Sequence, residues 1–304
     1  MRALLVMGSN VAVSAPGSRR IEQRLDALDF LVVSDLFLSE TAARADVVLP
    51  STQWAEEEGT MTNLEGRVIL RRRAMAPPAG VWTDTEMLAA LGARLDCAQG
   101  FPPAPGDIFE ELRRASAAGA ADYAGVTYER IAREDGVFWP CPSEDHPGTP
   151  RLFLDRFATA DGLARFHPVE YRPPAEEPDS EYPLYLTTGR VLAHYQSGTQ
   201  TRRVARLVES SPGSFVQIHP SMAHGYGIAD GDCVRLVTRR GSARFIAQLT
   251  NSIRMDTLFA PFHWGGEGRA NLLTNPALDP TSRMPEFKVC AVRIEAVGKT
   301  EPKC

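Results

Sequence analysis

Apolar and polar residues follow two different rhythms along this chain. Over the first hundred residues, short unbroken apolar runs alternate with stretches of helical spacing. RALLVMG (2–8), FLVVSD (30–35) and DVVLP (46–50) read as buried strands, the last stopped by Pro50. Between them, SRRIEQRLDAL (18–28) places Ile21, Leu25 and Leu28 on one helical face, and SETAARA (39–45) makes a short helix. Thr83 and Glu86 have capping-box spacing and open a helix over 83–95 with Met87, Leu88, Leu91 and Leu95 inside. Strand–helix alternation with continuous apolar strands predicts a parallel sheet.

The second rhythm begins near residue 182. YPLYLTTGR, SFVQIHP, DCVRLVTRRGSARFIAQLT, TLFAP and VCAVRIEA are short strands separated by turn signals, with a hairpin at TRRGSA and a tight turn at GIADGD. They predict a small β-barrel. Between the two halves, a helix over 107–118 is followed by Pro-rich, acidic chain, read as an extended connection with a boundary near Pro178. The expected organisation is a partial α/β domain over 1–100, a connecting segment over 101–180 and a β-barrel over 181–298. Three strands are few for a doubly wound sheet, so its outer edge is expected to need cover. A loop from Phe262 to Lys288, long for a barrel connection, precedes the last strand.

Composition narrows the functional classes. The 304 residues carry a formal net charge of −5, a balance with no global pull on nucleic acid or acidic membranes. No apolar run approaches the roughly 20 residues that span a bilayer. The N-terminal run lacks a cleavage region, so the expected compartment is the cytoplasm. Cys97, Cys141, Cys233, Cys290 and Cys304 are scattered, with no Cys-x-x-Cys, and fit a reducing compartment and packing roles. No residues stand at metal-ligand spacing, and no nucleophile elbow or phosphate-loop motif is present.

Several polar positions fall where chemistry is done. Gly8, Ser9 and Asn10 follow the first strand, and Ser34 and Asp35 close the second, at the strand ends where α/β sheets bind ligands. Each also reads as an ordinary turn or cap; a carboxylate such as Asp35 suits a guanine edge or a ribose diol. Asp84 allows the same two readings, with the cap favoured because it begins a helix. Glu56, Glu57 and Glu58 form an acidic run that suits a solvated turn. In TTGRVLAHYQSGTQTRR (187–203), Thr188, Gly189, Arg190, His194, Ser197, Thr199, Arg202 and Arg203 supply phosphate-binding guanidinium groups and hydroxyls, or make a polar surface loop.

Four ordered stretches carry a family resemblance. ADVVLPSTQWAEEEGTMTNLEGRV, LTTGRVLAHYQSGTQTRRV, HPSMAHGYGIADGDCVRL and NLLTNPALDPTSRMPEFK together resemble the C-terminal part of molybdopterin oxidoreductases, over nearly the whole chain. Within that family the likeness is to assimilatory nitrate reductases and formate dehydrogenase alpha subunits. The resemblance implies a partial Rossmann-like sheet followed by a double-psi β-barrel. It implies molybdenum, or tungsten, held by two molybdopterin guanine dinucleotides.

By motif, the resemblance implies cofactor contacts from Asn10, Ser34, Asp35, Asp84, the 188–197 turn (Thr188, Gly189, Arg190, His194, Ser197), Asn271 and Lys288. It puts His263 or Trp264 near the substrate funnel. Glu57 stands where some relatives carry a cofactor-binding Lys, and a carboxylate cannot neutralise a phosphate. The family's [4Fe-4S] motif and metal-ligating residue match no position here, so the expectation is an incomplete enzyme that needs an N-terminal portion or a partner chain. The expected substrate is a small oxyanion, nitrate first. Formate oxidation and a non-catalytic fragment that binds a partner through its sheet edge are the alternatives.

Overall fold

The computed structural model describes residues 1–297. The expected barrel limit at 298 and Cys304 lie outside the described residues. In chain order the strands are β1 (Ala3–Met7), β2 (Phe30–Asp35), β3 (Val47–Pro50), β4 (Gly59–Thr62), β5 (Arg67–Arg71), β6 (Val137–Phe138), β7 (Leu184–Gly189), β8 (Phe215–Ile218), β9 (Cys233–Thr238), β10 (Gly241–Leu249), β11 (Thr257–Pro261) and β12 (Cys290–Ala296). The helices are α1 (Val11–Ser14), α2 (Ser18–Asp26), α3 (Asp84–Arg94), α4 (Pro105–Ser116), α5 (Tyr128–Glu134), α6 (Ala205–Ser210) and α7 (Pro220–Gly225). Among the described residues, no helix is long and apolar enough to cross a membrane.

The chain forms two compact units, 1–48 with 171–304, and 49–170. These units cut across the linear segments 1–100, 101–180 and 181–298.

β1, β2 and β3 form a sheet in that order; β1 and β2 belong to the first unit, and β3 runs over its limit at Val48. β1 and β2 are parallel, with Ala3 opposite Phe30 and Met7 opposite Ser34. Leu31, Val33, Val6, Ala12, Leu25 and Ala42 make its core. The expected helix at 39–45 is a single 3-10 turn, Ala42–Arg44.

Strands β7 to β12 close into a six-stranded barrel in the order β10-β8-β11-β7-β12-β9. β7–β11 and β8–β10 pair in parallel, and the remaining pairs are antiparallel. Alternation of buried and less buried residues along β7 and β9 turns every second side chain inward. Leu186, Val216, Ile218, Leu236, Phe245, Leu258 and Val292 fill the interior and are fully buried. Each such side chain contributes roughly 1.5–3 kcal/mol of burial free energy.

The second unit holds an antiparallel sheet, β4-β5-β6, with α3, α4 and α5. Val68, Phe109, Val126, Ile131 and Val137 form its core. The stretch expected to be a plain connection therefore contains structure of its own. Thr127 caps α5 by accepting from Arg130 N at 3.0 Å, and β6 pairs with β5. Apolar Ile131 and Val137 supply the burial that Pro-rich composition obscured. Cys97, Cys141 and Cys290 are free, but Cys233 is disulfide-bonded, which departs from the expectation of thiols throughout.

Candidate functional site

The site is built where the parallel strands of the first unit end. Gly8 continues the ladder beyond β1, its N–H donating to Ser34 O at 2.8 Å, and its φ of +56° suits glycine. Asn10 follows at the start of α1, in N-cap position, but does not cap the helix. Its amide nitrogen donates to Glu40 Oε2 at 2.6 Å and to Thr199 Oγ1 at 3.1 Å. Its oxygen accepts from Thr41 N at 3.2 Å and Thr41 Oγ1 at 2.9 Å. All four hydrogen-bonding positions of the side chain are thereby used.

At the end of β2, Ser34 and Asp35 are buried. Asp35 accepts from Leu36 N and Ser39 Oγ, both at 2.8 Å, one bond to each oxygen. Each oxygen keeps a further lone pair for another donor. Glu40 ends the same loop, half-buried. Burial opposes its ionisation, but hydrogen bonds from Asn10 and Arg202 outweigh that and hold its carboxyl below the ordinary 4.5.

The barrel brings its own loops to this edge. Thr188 is buried at the end of β7, and its hydroxyl donates to Phe287 O at 2.9 Å. Its carbonyl accepts from Lys288 Nζ at 2.7 Å. Gly189 follows, and a Cβ there would lie 2.5 Å from the Phe259 ring. Arg190 is exposed and reaches over Tyr195. Burial and then the Arg190 charge push Lys288 below its ordinary 10.5, so the two cations feel one another.

The two histidines of this region are committed to the fold. His194 faces Thr201 Oγ1 through Nδ1 at 3.1 Å and Ser211 O through Nε2 at 2.8 Å. His263 is fully buried; Nε2 accepts from Val191 N at 3.0 Å and Nδ1 donates to Gln196 O at 2.6 Å. Trp264, also buried, packs edge-on against His194 with ring centres 5.2 Å apart. The residues expected at the mouth of a funnel thus form a packed aromatic cluster.

Asn271 sits in the long 262–288 loop, where its amide donates to Val13 O at 2.8 Å and its oxygen accepts from Thr274 Oγ1 at 2.9 Å. Arg269 in the same loop reaches Ala12 O at 2.7 Å and Glu22 at 2.8 Å. This loop therefore ties the barrel to α1 and α2. Ser197 is buried and shares a 2.9 Å contact between hydroxyls with Thr199. Arg202 bonds Glu40 at 2.9 Å and Ser197 O at 3.3 Å, while its buried Nε has no partner.

Of the sequence-predicted residues, Asn10, Ser34, Asp35, Thr188, Gly189, Arg190, His194, Ser197, His263, Trp264, Asn271 and Lys288 all belong to the first unit. Asp84 belongs to the second, at the first position of α3, beside Glu58, Thr83 and Tyr128 in a cavity of about 830 Å³. Glu57 bonds Arg71 at 2.9 Å and Thr52 at 3.1 Å, so the acidic run is partly paired. Sequence reading missed Glu40 and Gln196. Glu40 read as part of a helix, and its partner Arg202 lies 162 positions away, so no local signal marks it. Among the described residues, no three His, Cys, Asp or Glu side chains gather to hold a metal.

Two stretches of the chain match known families. Residues 184–291 match the molydopterin dinucleotide binding domain, and residues 1–94 match the molybdopterin oxidoreductase family. The chain is 46% identical over 297 residues to the assimilatory nitrate reductase catalytic subunit of Bacillus subtilis, covering 97% of this chain and 42% of that protein. It is 44% identical over 298 residues to the F420-dependent formate dehydrogenase subunit alpha of Methanocaldococcus jannaschii, covering 98% of this chain and 43% of that one. The chain thus spans under half the length of these relatives. Acetylene hydratase from Pelobacter acetylenicus has the same fold over 97% of this chain and 44% of its own, with a TM-score of 0.73 at 18% identity. Residues 1–94 thus belong to the molybdopterin oxidoreductase family, and residues 184–291, which hold most of the barrel, to the molydopterin dinucleotide binding domain.

Proposed function

We propose that this chain is the cofactor-binding C-terminal part of a cytoplasmic molybdenum oxidoreductase of the nitrate reductase type, with a double-psi barrel and a Rossmann-like sheet. The observation that carries the reading is the turn after β7. In a chain of net charge −5, Arg190 and Lys288 lie close enough for one to depress the other. Lys288 Nζ is pinned to Thr188 O at 2.7 Å, two residues before Arg190, and two cations at one turn suit a doubly anionic linkage such as a pyrophosphate.

The other residues fit a molybdopterin guanine dinucleotide. Gly189 leaves backbone where a side chain would strike Phe259, and Ser197 offers a hydroxyl. Asp35 keeps acceptor capacity for the N–H groups of a guanine. Asn10 and Asn271 act as braces that hold the loops in place, since their amides bond within the protein. When bound, the cofactor supplies the two-electron chemistry that would reduce nitrate, with two protons, to nitrite and water. The chain's own part is to neutralise phosphate, orient the nucleotide and shelter it from water.

A formate dehydrogenase is the second reading, favoured by the near-equal identities of 46% and 44% to relatives of the two kinds. Two measurements test the proposal. The chain, produced in cells that make the cofactor, should release GMP on acid treatment and yield a fluorescent oxidised pterin. A folded chain with neither would sink the cofactor reading. A protein with the full length of the relatives should reduce nitrate with a reduced viologen, and formate oxidation without nitrate reduction would transfer the assignment.

A further inference from the structure

The end of the barrel's parallel pair shows what His263 does. Gly189 on β7 lies opposite Pro261 on β11. One residue on, Phe262 N–H donates to Gly189 O at 3.3 Å, so the ladder continues past the strands. At the next step the chains part, and a side chain replaces the missing backbone acceptor. Val191 N–H donates to His263 Nε2 at 3.0 Å. The other ring nitrogen donates to Gln196 O at 2.6 Å. One buried imidazole thereby spans the turn from Val191 to Gln196.

The turn needs such a brace. Gln196 adopts φ +48°, a left-handed conformation that glutamine has no intrinsic reason to prefer. Two residues later, Gly198 sits at φ +70°, and a Cβ there would lie 2.5 Å from His263 O. The turn is therefore held from the His263 ring on one side and packed against its carbonyl on the other. The clamp requires a neutral ring, because imidazolium has no acceptor for Val191 N–H.

We propose that His263 is a positioning residue whose neutral imidazole fixes the 190–197 turn in the shape that presents Arg190 and the turn's backbone to a nucleotide phosphate. This inference rests on the cofactor reading above.

The surroundings support a neutral ring. His194 lies with its ring centre 5.8 Å away, and Phe262 and Trp264 cover the ring at 5.0 and 5.8 Å. Burial is the main cause that holds His263 below its ordinary 6.5; the Gln196 carbonyl pulls the other way, and the charges of His194, Arg190 and Arg202 add to burial. Glu40, packed against Gly265, is already engaged by Asn10 and Arg202. A depressed histidine gives stability that is whole above about pH 6.5 and lost as the pH falls through its folded value.

The test uses His263→Ala and His263→Gln in the whole chain, purified from cells that make the cofactor. Two quantities are read: hydrogen exchange at the Val191 amide, and GMP released by acid per chain between pH 5 and 8. In His263→Ala, exchange should quicken about tenfold and retained GMP should fall by a similar factor, as expected for the loss of buried hydrogen bonds. His263→Gln, with one amide donor and one acceptor, should recover part of both. Its GMP retention should lose the acid-side fall that the wild type shows. Wild-type GMP retention and pH profile in both variants would overturn the proposal. If the wild type itself releases no GMP, the cofactor reading fails. Unchanged Val191 exchange in His263→Ala would independently overturn the clamp.

Discussion

Arg202 and Glu40 meet at 2.9 Å although 162 positions separate them in sequence. Asn10 joins the same carboxylate from the other side at 2.6 Å. The loop after β2, the turn after β7 and the start of α1 are therefore fixed by one half-buried carboxylate. This is how the first unit holds the carboxyl ends of its parallel strands against the barrel.

That arrangement predicts a pH-dependent defect. Asn10→Asp puts a second carboxylate against Glu40 and removes two donors. It should cost about 2–3 kcal/mol at pH 7. The folded pKa of Glu40 lies below 4.5, so its stabilising contribution is present above that value and lost as the pH falls through the folded one. The difference between wild type and Asn10→Asp in urea unfolding should therefore shrink from pH 7 toward pH 4. A difference that stays constant would show that Glu40 is not the group responsible.

Gly198 and Gly213 provide a contrast in glycine substitution. A Cβ at Gly198 would meet backbone at 2.5 Å with φ at +70°, whereas one at Gly213 meets nothing within 4 Å. Gly198→Ala should destabilise the chain by about 1–3 kcal/mol, while Gly213→Ala changes little. Denaturant midpoints for the two variants decide it.

Lys288→Met keeps the apolar stem but removes the charge that bonds Thr188 O and faces Arg190. Retention of guanine nucleotide should weaken roughly 10–100-fold, the range of one charge-assisted hydrogen bond. Unaltered nucleotide content would remove Lys288 from the site.

Neighbours at the start of α3 should separate capping from binding. Thr83 accepts from Glu86 N at 3.2 Å in the capping box. Thr83→Ala should cost about 1 kcal/mol in unfolding and leave nucleotide content intact. Asp84→Asn should do the reverse if Asp84 contacts nucleotide. Loss of stability without loss of nucleotide in Asp84→Asn would assign it to the helix end alone.

The elements of the fold were legible from local pattern. Continuous apolar runs marked β1, β2 and β3, and the alternation in LYLTTG and CVRLVT marked barrel strands, because a strand's two faces are written two residues apart. The Thr83–Glu86 box was legible for the same reason, since its partners are three residues apart. Helix α5 was missed because seven residues among Pro-rich neighbours carry too little periodicity. The sequence by itself determined which residues are polar and small at the strand ends, and the order of the motifs. Only the tertiary structure decided what those side chains do. Asn10 and His263 find their partners in remote segments, and Asn271 finds Val13 258 positions away, so hydrogen-bond capacity visible in the sequence became internal bracing once the chain closed. Arg190 and Lys288 gain their mutual influence only because β7 and the long 262–288 loop end at the same rim of the barrel.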